Sequence, residues 1–268
     1  MINVTKKEQL ENFNAALISY GKMAFPRVEN WIEAFRQLIH LLEHSYKRGK
    51  VGGVAGVVDF EGFITNCYVM GTVNGNGNYY GDSYSYNAVG GMVGVVDNGT
   101  VINCYVSGAV NGRIDAHQLT GGMVGWLYGG IVANCYATNT VSGGYRCSGI
   151  VGNGAQGRVF NCAALNSSIG SQESMYNNIT RVSYLDDISF FNNVAWSGMQ
   201  AINGTFASRG HGADITSTQA KTASFWVTPT SAWTGWDTNV WDIANGRLPI
   251  LKNVGGNQLA NNPPAHLQ

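Results

Sequence analysis

Four cysteines, Cys67, Cys104, Cys135 and Cys162, each stand directly after an asparagine: Asn66, Asn103, Asn134 and Asn161. Thiols at a recurring position can ligate metal, bridge, or pack as small apolar groups. Metal ligation fits poorly, because no Cys-x-x-Cys occurs and Tyr or Ala follows each of the four rather than a nearby His. Bridging is conceivable, since stacked strands bring Cα atoms within the roughly 4.4–6.8 Å that a disulfide needs. A column of reduced, buried thiols is the simpler expectation, with Cys147, which aligns with Thr120, unpaired as well. The asparagines form a matching column in which each side-chain amide can serve the next, a scaffold role rather than a binding one.

Other residues suggest other chemistry. His40 and His44 in "HLLEH" match a zinc-peptidase pattern. On a helix they sit opposite the stripe Trp31, Phe35, Leu38 and Leu42, and only Glu61 and Glu173 follow as glutamates, so a chance match on an exposed face is expected and no metal is assigned. Asp59 and Asp97 align between copies and could act as paired acids on a polysaccharide, although turn residues are the favoured assignment and the third copy has Tyr128 near this point. The insert 74–88 carries Tyr79, Tyr80, Tyr84 and Tyr86 among Gly, Ser and Asn, the composition of an adaptable recognition loop. Trp126 and Tyr128 join them as candidate ligand-binding residues. Trp226, Trp233, Trp236 and Trp241 could form a sugar platform, but are expected first to close the open end of the core. Sequons at Asn98, Asn166, Asn178 and Asn203 are what an Asn/Ser/Thr-rich chain yields by chance.

Positioning these residues falls to a repeat. From the second glycine of each Gly-Gly or Ser-Gly pair to the cysteine the gap is 14, 13, 13 and 13 residues, while successive cysteines are 37, 31 and 27 apart. One unit is reused and only its loops change. Short Val- and Ile-rich runs broken by Gly and Asn cannot bury an apolar side alone and must stack on the next copy. Ile64, Cys67, Val69 and Val73 are expected inward, with Asn66 and Gly71 at corners where left-handed backbone is tolerated. The fold class that follows is mainly β: a parallel β-helix, or β-solenoid, over residues 51–268, with degenerate repeats from about 170. A β-sandwich of repeated hairpins is the alternative. Residues 1–50 read differently, as an α-helical N-terminal cap: a capping box from Thr5 to Glu8, a stripe of Leu10, Phe13, Leu17 and Tyr20, then a second helix from Pro26.

Bulk properties narrow the function. The 268 residues include 36 glycines and only 12% charged residues, with zero formal net charge, which argues against nucleic acid. Residues 1–50 hold eight Lys/Arg and five Asp/Glu, against eight and eleven in the rest. No apolar run is long enough to span a membrane. The amino terminus lacks a signal-peptide core, so the chain reads as cytosolic or as one whose leader has been removed, and the second is preferred.

The lines "GGMVGVVDNGTVINCYVSGAV" and "GGMVGWLYGGIVANCYATNTV" resemble the GLUG repeat of bacterial surface proteins, a likeness covering about residues 51–169. Phe225–Asn253 is similar to the end segment of such proteins, and Asn192–Met199 looks like a degenerate last repeat. The resemblance implies an extracellular or surface-exposed, adhesin-like protein and no catalytic residue. The expectation is therefore a non-enzymatic, cofactor-free binding protein that presents loops to a glycan or a protein partner. A polysaccharide-degrading β-helix enzyme and a structural spacer are the rivals. Uneven loop lengths favour recognition over the spacer.

Overall fold

The computed structural model describes residues 50–75, 87–113, 118–171, 179–185, 189–231 and 233–268. The expected helices before residue 50, with His40 and His44, lie outside these residues, as do Tyr79, Tyr80, Tyr84, Tyr86, Glu173 and Asn178.

The described chain is mainly β, and its large sheets are parallel. Each copy of the repeat supplies one strand to each of the first three sheets and one or two short strands to the fourth. In the second sheet the succession runs Ala55–Asp59, Val93–Asp97, Val124–Tyr128, Val151–Ala155 and Ser183–Leu185. In the third it runs Phe63–Thr65, Thr100–Ile102, Ile131–Ala133, Arg158–Phe160 and Ser189–Phe191. The fourth begins with Tyr68–Gly75 against Tyr105–Gly112, paired residue for residue over their whole length. The hairpin sandwich is therefore excluded, because its strands would pair antiparallel with their sequence neighbours. Among the described residues, the antiparallel ladder between strands is Trp241–Asp242 on Ile250–Leu251, beyond the repeats.

Register explains the repeat. Ile64, Val101, Val132, Val159 and Phe190 lie over one another in successive strands, and the first four are buried in a single core with Val96, Val124 and Leu127. The corner asparagines make the bend from the third sheet to the fourth. Asn66, Asn103, Asn134 and Asn161 have φ of 53°, 55°, 50° and 55°, and Asn192 continues the series at 53°. Asn tolerates this left-handed conformation better than any residue except Gly, which is why it recurs. The corner between the first and second sheets needs Gly for a different reason. A Cβ at Gly121 would overlap the Val124 carbonyl oxygen, so the backbones can approach only without one.

The C-terminal segment is built otherwise. Thr216 caps the short helix Ser217–Ala220, with its hydroxyl and the Gln219 amide forming a capping box. A second short helix, Ala223–Val227, brings Trp226 into a separate apolar cluster with Trp233, Trp236 and Trp241. This corrects the end-cap expectation. The four tryptophans pack against Tyr105, Tyr136, Ala163 and Val194, on the outward side of the fourth sheet, and not against the core that runs through the stack. The outward tyrosines present an apolar surface, and the indoles cover it.

Candidate functional site

The inward cysteines occupy one column. Cys104, Cys135 and Cys162 are fully buried and Cys67 is half-buried, and all five cysteines of the chain are unbridged. Each thiol donates to the carbonyl two residues earlier, at 3.2 Å for Cys67 and Cys104, 3.1 Å for Cys135 and 3.3 Å for Cys162. Burial pushes the Cys135 thiol well above its ordinary range and Cys147 up to about 12, so these sulfurs stay protonated and unreactive. The fifth copy places Asn193 where the cysteine stood. Its amide donates to Val159 O (2.8 Å) and its Oδ1 accepts from Cys162 N (3.0 Å), so the polar replacement is satisfied by backbone. Among the described residues, no group of three or more His, Cys, Asp and Glu could hold a metal ion.

The corner asparagines are joined by side chains at one step, Asn161 Nδ2 donating to Asn134 Oδ1 at 2.6 Å. A fuller amide ladder lies elsewhere, at buried positions that the repeat pattern does not mark. Asn166 Nδ2 donates to Asn139 Oδ1 (2.7 Å), and Asn139 Nδ2 donates to Gly122 O (2.9 Å).

The second sheet presents an outward face with recognition chemistry. Its strands align Asp59 with Asp97, Asp97 with Tyr128, and Tyr128 with Ala155. Two residues earlier the row is Val57, Val95, Trp126 and Asn153. Parallel strands in register point corresponding side chains the same way, so Trp126, Tyr128, Asp97 and Asp59 share one surface. The Trp126 and Tyr128 ring centroids are 6.1 Å apart and their planes 52° apart, and Tyr128 is 38% exposed. Asp97 Oδ1 accepts from Asn98 Nδ2 at 2.8 Å. Asp59 closes its strand into a turn, with Gly62 N donating to Asp59 O at 2.7 Å and Phe60 and Glu61 at positive φ. Asn153, only 5% exposed, leaves its Oδ1 without a hydrogen-bond partner beside Trp126. An unmatched acceptor of this kind costs stability unless a donor reaches it. Aligning the fourth copy on the third finds Asn153, because "VGNGA" falls on "VGWLY".

Thus the structure brings Trp126 and Tyr128 together with the two aspartates, while the insert's tyrosines lie outside the described residues. The family described as the GLUG motif matches residues 116–142, which run from just before the first-sheet strand Gln118–Gly121, through Trp126 and Tyr128, to the Cys135 corner and beyond. The chain thus carries a GLUG motif, and its repeats fit a GLUG-repeat protein. No curated protein and no solved structure matches the chain.

Proposed function

We propose that this protein is a non-enzymatic, adhesin-like binding protein of the cell exterior that recognises a glycan on the outward face of its second sheet. The repeats coil as a β-solenoid beneath that face. One observation carries the reading: Trp126 and Tyr128 sit two residues apart on one strand with rings 6.1 Å apart. Aromatic rings offer a flat apolar surface to the C–H side of a sugar, and the neighbouring Asp97 supplies an acceptor for its hydroxyls. A parallel-strand platform holds these groups rigidly, so little conformational entropy is lost on binding. The insert 74–88, with Tyr79, Tyr80, Tyr84 and Tyr86, adds residues of the same recognition chemistry.

A glycan array followed by calorimetry on the strongest hit tests this. Trp126→Ala and Tyr128→Ala are each expected to weaken binding at least about tenfold, the loss of roughly 1.4 kcal/mol that a ring contact supplies. Undiminished binding by both variants would remove the face from the account.

The aligned pair Asp59 and Asp97 favours one second reading, cleavage of a polysaccharide. In-register Cα atoms about 4.8 Å apart allow carboxyl groups near the roughly 5–5.5 Å of retaining glycosidases. Reducing-sugar release that disappears in Asp97→Asn would establish the enzyme instead.

A further inference from the structure

We propose that Cys67 and Cys104 are a peroxide-oxidisable pair whose disulfide fastens the first repeat onto the second. The pair is singled out by position. Tyr68 lies in register with Tyr105 and Thr65 with Ile102, so Cys67 and Cys104 stand directly over one another, with Tyr105 N donating to Cys67 O at 3.1 Å. Their Cα atoms are therefore about one strand spacing apart, roughly 4.8 Å, inside the span a disulfide bridges. The same stacking continues to Cys135 and Cys162, but those sulfurs and Cys104 are fully buried. Cys67 alone in the column is half-exposed, because it belongs to the first described turn. An oxidant in solution reaches Cys67 and nothing deeper.

The chemistry balances with hydrogen peroxide as oxidant. The Cys67 thiol releases its proton, the thiolate attacks one peroxide oxygen as the O–O bond breaks, and the leaving hydroxide takes up that proton, so that a sulfenic acid and water result. The Cys104 sulfur then attacks the Cys67 sulfur, the S–S bond forms as the S–O bond breaks, and the leaving hydroxide takes the Cys104 proton as a second water. Two thiols are oxidised and one peroxide is reduced to two waters. Burial and the neighbouring thiol raise the Cys67 pKa, so the reaction is slow at neutral pH and quickens as pH rises.

The first repeat is where a fastening has most effect. Val57 is 43% and Phe63 70% exposed, whereas Val95, which aligns with Val57 one turn later, is 3% exposed. A turn with so little burial is the first to open, and a cross-link to its neighbour holds it closed.

The test is to treat the full chain with hydrogen peroxide, map its peptides without reductant, and melt it. Oxidation is expected to lower the thiol count under denaturing conditions from five to three, and to yield one linked peptide containing Cys67 and Cys104. The melting temperature should rise by about 4–10 °C. Cys67→Ser should give neither linked peptide nor shift, and Cys147→Ser should retain both. The proposal is overturned if all five thiols survive, if the link joins any other pair, or if Cys67 passes to sulfinic acid without a link.

Discussion

Tyr105 and Tyr136 stack with centroids 4.8 Å apart and planes 1° apart, and each hydroxyl is anchored in the C-terminal segment. Tyr105 bonds Gln258 Oε1 at 3.1 Å and Tyr136 bonds Pro249 O at 2.8 Å. Tyr68 extends the stack at 5.2 Å and donates to Gly255 O at 2.8 Å. The ring spacing is that of parallel strands, so the backbone ladder dictates the aromatic one. Three repeats thereby hold one strap of chain across a sequence separation of more than a hundred residues.

Removing the middle of this arrangement separates its parts. Tyr136 is buried against Trp226, Trp236 and Trp241, so Tyr136→Ala should cost about 3–5 kcal/mol in chemical denaturation. Tyr136→Phe keeps the ring and loses only the bond to Pro249 O, for about 1 kcal/mol. Equal losses for the two variants would mean that the stack contributes nothing beyond its hydroxyl.

Alkaline pH probes the same tyrosines. Burial raises both Tyr105 and Tyr136 above their ordinary 10.0. The unfolded chain then releases protons that the folded chain keeps. Stability is therefore complete below pH 10 and is lost as pH climbs from there towards the folded values. Melting temperatures should fall steeply above pH 10, and less steeply in Tyr105→Phe. A flat profile to pH 11.5 (about one and a half units past the ordinary value) contradicts the burial.

The corner position discriminates conformation from side chain. Asn103 has φ of 55°, so Asn103→Ala should cost about 1–2 kcal/mol and Asn103→Gly much less. Equal destabilisation would show that the amide, and not the left-handed backbone, is what the corner requires.

The recurring Asn-Cys pairs made the repeat legible, because the backbone bend needs Asn and the packed core needs a small apolar group at every copy. Parallel pairing was equally readable from the near-constant gap of 13 or 14 residues between glycine and cysteine. The destination of the tryptophans was not. Their partners, Tyr105 and Tyr136, read as members of the repeat, and nothing local tells an outward ring that will be covered from one that will meet water. The Asn139–Asn166 ladder escaped because those residues fall where the copies diverge, in "ATNTV" and "ALNSSI". For the candidate site, Trp126 and Tyr128 stood out by type, whereas their alignment with Asp97 and Asn153 followed only from strand register.

That register is tested most directly by a distance. Phe63, Thr100, Ile131, Arg158 and Ser189 align across five strands, and the two outermost are exposed. Spin labels at Phe63→Cys and Ser189→Cys, in a Cys67→Ser background, should report a narrow distribution centred near four strand spacings, about 19 Å. A broad distribution, or one centred beyond about 30 Å, would mean that the copies do not lie over one another, and the shared face of Trp126, Tyr128 and Asp97 would fall with them.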